Sequence, residues 1–262
     1  MQTAAVALPL LILLILKGGV FLFTGFVLLL SFLGLTEFYR MALPEGKREG
    51  LAASLAGALL PLAFLYSDKV PFQFALTLLV LLSCLHFLFT IRDIRQSAGE
   101  AALFLMGFLY VPLLLGHLVL LRGLPHGVQW VFLLIVIVMA GDTGAYYTGS
   151  SFGRRKLYPI VSPNKSMEGA AGGLAGSVVG ALIAKFTFFP ELTVPDAVMT
   201  ALLLGVLGQL GDLFESLLKR SFGVKDSGSI IPGHGGILDR LDSILFAAPA
   251  AFYYAMFIFM RR

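Results

Sequence analysis

Residues 131–149 read VFLLIVIVMAGDTGAYYTG. Eleven positions pass without a polar side chain, and then an acid, Asp142, stands in line with the run. The apolar residues are consecutive and show no alternation of period two. Lipid offers the backbone no water, so only helices and closed barrels cross it, and an unbroken run of this kind reads as a helix. About 20 apolar residues are needed to span a bilayer. This run extends over 127–148, and similar ones lie near 3–16, 19–36, 51–66, 71–91, 101–121, 169–189, 196–216 and 242–260. The fold expected is therefore all-α, a polytopic membrane protein with about nine transmembrane helices. The first run is short, which suits a half-buried or tilted segment. It lacks a basic leader and a small-residue cleavage site, so it does not read as a removed signal peptide.

Composition agrees. Of 262 residues, 58% are hydrophobic and 13% charged, about half the charge of a soluble domain. That excludes an ordinary cytosolic globule and a disordered chain. The single cysteine, Cys84, excludes a disulfide framework and a cysteine-based zinc site; it reads as a small buried apolar residue. The net charge of +4 suits orientation and attraction to anionic lipid, and nucleic acid is a poor partner for it. With nine spans, the segments 37–50, 92–100, 149–168 and 217–241 share one side and hold thirteen of the nineteen Lys and Arg. That side should be cytoplasmic, which implies a multi-pass inner-membrane protein whose site faces the cytoplasm. The pair Arg261 and Arg262 counts against this orientation.

Charge is unevenly spread. Residues 142–242 carry nine of the fifteen acids, so the chain divides into an N-terminal membrane-span region, 1–141, and a C-terminal catalytic membrane region with cytoplasmic loops, 142–262. Asp142 is costly inside a span and so marks a functional position; the plainer alternative is a helix mouth where it meets water or a lysine. In GQLGDLFESLLKR, Asp212, Glu215 and Lys219 are spaced i, i+3, i+7 on one helical face. A Glu215–Lys219 pair within the helix explains two of them and leaves Asp212 without a structural reason to be charged. Asp239 and Asp242 open the last span, where acids complement the helix dipole. Gly233, Gly235 and Gly236 surround His234 and permit a tight backbone. Lys165 lies just before the seventh span and suits an anion contact, whereas Arg154, Arg155 and Lys156 read as anchors. Gly172, Gly176 and Gly180 recur every four residues, a pattern for closely packed helices. His86, His117 and His126 lack acidic partners and read as packing residues.

Several carboxylates beside several cations at one membrane face suit Mg²⁺, a hard cation that shares oxygen ligands with substrate phosphates, while Lys and Arg neutralise the remaining phosphate charge. The residues alone thus reach a membrane enzyme that handles phosphates.

Residues 216–242, SLLKRSFGVKDSGSIIPGHGGILDRLD, resemble the signature of the phosphatidate cytidylyltransferase (CDP-diacylglycerol synthase) family with no departure at a charged position. Gly141–Tyr146 and Ser162–Gly169 are similar to further family blocks, as is Glu37-Phe-Tyr-Arg40; the close resemblance covers about 140–245. It implies conversion of CTP and phosphatidic acid to CDP-diacylglycerol and pyrophosphate by metal-assisted nucleotidyl transfer. It also implies a metal, Mg²⁺, on Asp212 and Asp239, with Asp142, Glu215 and Asp242 completing the shell or holding a second cation. Lys219 and Lys225 join Asp212 and Asp239 as expected catalytic residues. Ser162, Lys165, Arg220, His234 and Arg240 are the expected substrate-binding residues, with His234 a phosphate contact or loop element. The partners implied are the two substrates and the bilayer; a homodimer is left open. A transporter, a CTP-linked lipid kinase and a non-catalytic scaffold are the competing readings.

Overall fold

The fold is that of a computed structural model, which describes residues 2–44, 46–67, 69, 71–90, 93–229 and 235–261, less the side chains of 2–8 and 47. Gly233 and His234 lie outside the described residues, as do Arg92, Arg262 and the side chain of Lys47 among the basic residues counted above. The chain is helical almost throughout: α1 (Gln2–Lys17), α2 (Gly19–Ala42), α3 (Lys47–Gly57), α4 (Leu60–Leu65), α5 (Phe72–Phe89), α6 (Ile94–Tyr110), α7 (Pro112–Gly123), α8 (Gly127–Phe152), α9 (Met167–Thr187), α10 (Val194–Ser221) and α11 (Leu238–Phe257). Among the described residues, eight stretches are long and apolar enough to cross a bilayer, with α3–α4 and α6–α7 each forming one of them. The protein is an integral membrane protein.

The eight correspond to eight of the nine expected spans. The ninth, α1, is a 16-residue helix that leads into α2 across Gly19, whose φ of 60° favours glycine. Ile15 of α1 is buried, and its carbonyl accepts from Arg122 at 3.2 Å. One element was not expected. Between α8 and α9 the chain forms an antiparallel hairpin of β1 (Lys156–Tyr158) and β2 (Ser162–Ser166). Glu168 fastens it by accepting from the backbone N–H of Arg154 at 3.0 Å and of Arg155 at 3.2 Å. The Ser166 hydroxyl caps α9 by accepting from Gly169 N–H at 3.1 Å.

Helices α8 and α9 pack where the small-residue spacing placed them. A Cβ at Gly144 would lie 2.5 Å from the Gly172 carbonyl oxygen and 3.3 Å from the Gly176 Cα; one at Gly180 would lie 2.8 Å from the Ala140 Cβ. Backbones this close leave room only for hydrogen atoms. Trp130, Phe189 and Tyr254 are buried toward the far end of this bundle, where Asp196 accepts from the Tyr254 hydroxyl at 2.8 Å. The histidines pack as expected: His117 is buried beside Phe64 and Phe252, and His126 lies against Phe189. Cys84 does not follow expectation. It is exposed on α5, whose single buried residue is Ser83, because that helix turns nearly its whole circumference outward.

Candidate active site

The charged ends of α2, α8, α10 and α11 meet with the hairpin at one end of the bundle. Lys165 on β2 places its Nζ 2.6 Å from the Asp212 Oδ1 of α10, so the two sequence-selected residues are partners. Two turns further along α10, Lys219 forms the expected pair with Glu215 at 2.6 Å, and the same ammonium reaches the Asp239 Oδ1 of α11, also at 2.6 Å. One cation therefore joins α10 to α11 through two carboxylates. The Glu215 side chain is wholly buried, and its Oε1 finds no hydrogen-bond partner among the described residues.

Asp239 is held on every side. Its Oδ2 accepts from Gly236 N–H at 2.7 Å, Ser227 N–H at 3.0 Å and the Ser227 hydroxyl at 2.9 Å. Gly235, at φ 79°, makes the turn that brings this backbone around the carboxylate. The Ser227 hydroxyl is also 3.1 Å from the Oε2 of Glu37, a buried acid on α2. Glu37 accepts in addition from the N–H groups of Ile237 at 3.0 Å and Leu238 at 2.8 Å, where the positive end of the α11 dipole favours an anion. Glu37 was not among the site residues selected from sequence. The available signal was an acid in a long apolar run, next to the family-like Phe-Tyr-Arg40.

A cavity of about 680 Å³ brings together Asp142, Asp212, Asp239, Arg240 and Asp242. Most of its remaining wall is apolar and comes from α1, α2, α7, α8 and α11, including Leu11, Phe23, Val27, Leu30 and Leu118, with Thr143 and Ser243 between. A second cavity, of about 490 Å³, lies under the hairpin and contains Ser162, Lys165 and, again, Asp212. Asp142 is exposed although it belongs to a span, and it opens onto the larger cavity. Arg220 and Lys225 are exposed and line neither cavity.

Among the described residues, no three acids, histidines or cysteines form a ready-made metal cage. The donor set is nevertheless all oxygen and rich in negative charge. That suits a hard cation taking only part of its shell from protein and the rest from water and substrate phosphates, as Mg²⁺ commonly does.

A largely helical membrane protein whose acids and lysines converge at one end of the bundle, beside a cavity that is charged on one side and mostly apolar on the other, has the build of an enzyme joining a polar group to a lipid. The chain belongs to the cytidylyltransferase family, whose sequence model matches residues 1–259, and it is thereby a nucleotidyltransferase. It is similar to the phosphatidate cytidylyltransferase of Bacillus subtilis (strain 168), with 43% identity over 157 residues, 59% of this chain and 58% of that protein. Phosphatidate cytidylyltransferases of Staphylococcus saprophyticus and Staphylococcus epidermidis are each 36% identical over 94% of both chains.

Proposed function

We propose that the protein is a phosphatidate cytidylyltransferase of phospholipid biosynthesis, working at the cytoplasmic face of the inner membrane. The observation that carries this reading is the larger cavity, in which four aspartates and Arg240 adjoin a wall of aliphatic and aromatic side chains. With a divalent cation on the aspartates and Arg240 beside them, one half would hold a phosphate, and the apolar half would hold acyl chains. The names of the similar proteins support the substrates, and thirteen of nineteen basic residues on the loop side support the orientation.

In this reaction a phosphate oxygen of phosphatidate attacks the α-phosphorus of CTP. The bond from that phosphorus to the β-bridging oxygen breaks, and pyrophosphate leaves with the electron pair. Phosphatidate has a second pKa of about 6, so it arrives largely as a dianion and needs no general base. The protein's task is to bring two polyanions together and hold them in line. Lys165, Lys219 and Arg240 compensate phosphate charge in the site, and Arg220 and Lys225 attract anions at its mouth. Asp212 and Asp239 are the proposed Mg²⁺ ligands, with Asp142, Glu215 and Asp242 completing the shell or holding a second cation. Asp239 takes this role when Lys219 leaves its Oδ1 for a phosphate. Mg²⁺ held by these carboxylates would supply compensation for the charge that develops on the pyrophosphate leaving group.

Purified protein in detergent, given radiolabelled CTP and phosphatidic acid, should form CDP-diacylglycerol and pyrophosphate, and chelation of Mg²⁺ should stop it. Release of CDP and no pyrophosphate would instead mark a kinase.

A further inference from the structure

Asp212 borders both cavities, and the two differ in character. The larger has the apolar wall. The smaller is bounded by the hairpin and by the facing ends of α8, α9 and α10, and it gathers Tyr146, Ser150, Ser162, Asn164, Lys165 and Gln209. Building on the cytidylyltransferase reading, we propose that the smaller cavity seats the nucleoside half of CTP and that the carboxamides of Gln209 and Asn164 read the cytosine edge.

Three observations lead there. A transfer between a soluble nucleotide and a lipid needs two compartments that meet at the reacting phosphorus, and Asp212 is common to both. The Lys165–Asp212 contact of 2.6 Å puts a cation at that meeting point, which fixes the triphosphate end. The rest of the smaller cavity then falls to ribose and base, and its volume of about 490 Å³ is within the usual range of small-molecule sites.

Cytosine presents an amine donor beside ring-nitrogen and carbonyl acceptors, whereas uracil has a carbonyl and an N–H at the corresponding positions. A carboxamide carries one acceptor and two donors, so it can match such an edge. Gln209 donates from Nε2 to the Ala170 carbonyl at 3.0 Å. That contact orients the amide and leaves Oε1 as an acceptor. An acceptor attracts the cytosine amine and repels the uracil carbonyl. Tyr146, whose ring is 70% exposed on α8, offers a face for stacking the base.

The test compares Gln209→Leu, Asn164→Ala and Ser150→Trp with the unaltered protein in detergent. Binding of radiolabelled CTP is measured without phosphatidate, together with competition by unlabelled UTP and ATP. Steady-state KM values for both substrates complete the set. Losing one hydrogen bond to the base should weaken CTP about tenfold and reduce its preference over UTP, with the KM for phosphatidate unchanged. Ser150→Trp fills the cavity from an exposed position and should abolish CTP binding without lowering the melting temperature. CTP affinity and preference that survive all three changes would overturn the assignment, as would a rise confined to the phosphatidate KM. If the unaltered protein makes no CDP-diacylglycerol, the cytidylyltransferase reading itself fails. Normal turnover with indifferent variants removes only the base site.

Discussion

Replacing Glu37 by alanine deletes the acceptor for two backbone N–H groups, at 3.0 and 2.8 Å, and a 3.1 Å contact with the Ser227 hydroxyl, whose proton Asp239 can still accept. Both N–H groups belong to the segment that presents Asp239. Glu37 is 1% exposed, so water cannot take its place. A hydrogen bond to a charged group contributes about 1.5–3 kcal/mol net, and each buried donor left unsatisfied costs about 1–3 kcal/mol. These terms overlap, and two stranded N–H groups together come to about 2–6 kcal/mol. For a chain of this length, that corresponds to a fall in melting temperature of roughly 4–24 °C. The assay is thermal unfolding in one detergent at a fixed scan rate, followed by fluorescence from Trp130. Glu37→Gln keeps the shape and one acceptor and should lose about half as much. A Glu37→Ala protein melting within about 2 °C of the original would refute the view that α2 holds the start of α11 through this carboxylate.

Four other outcomes are expected. Asp212→Asn should remove turnover while expression and melting persist, since its partner Lys165 is partly exposed; near-normal activity with Mg²⁺ would exclude Asp212 as an essential ligand. Lys219→Met strands the buried Glu215 and should destabilise by about 3–5 kcal/mol, with part recovered by adding Glu215→Gln, as read by melting of the single and double variants. Gly144→Leu should push α8 from α9 and abolish monodisperse elution in size-exclusion chromatography, whereas Gly25→Leu, which meets nothing within 4 Å, should be tolerated. Leu30→Trp narrows the apolar part of the larger cavity and should raise the KM for long-chain phosphatidate but leave CTP binding alone; equal KM values would move the acyl chains elsewhere.

The spans were legible because length and hydropathy alone define them. The Gly172–Gly176–Gly180 face was legible because small residues at a fixed spacing have one structural use in a membrane. The Glu215–Lys219 pair followed from helical geometry. Other contacts had no local trace. Lys165 and Asp212 were each chosen for a substrate or a metal, and nothing in their neighbourhoods announced that they pair. Glu37 is 190 residues from Ser227 and 200 from Ile237, and one acid near a span end looks like any interfacial charge. Cys84 was misplaced for a physical reason: lipid is as apolar as a protein core, so hydropathy does not say which face of α5 turns inward. The hairpin escaped because Ser162–Ser166 contains a proline and no alternation of apolar residues.

The lysine contacts have a consequence for loading. Lys165 already sits on Asp212, and Lys219 already sits between Glu215 and Asp239. On the proposed reading, an arriving triphosphate would draw these ammonium groups to itself, and the carboxylates they vacate are the ones that would hold its counter-ion. Neither the nucleotide nor its cation would gain a full set of partners by coming alone.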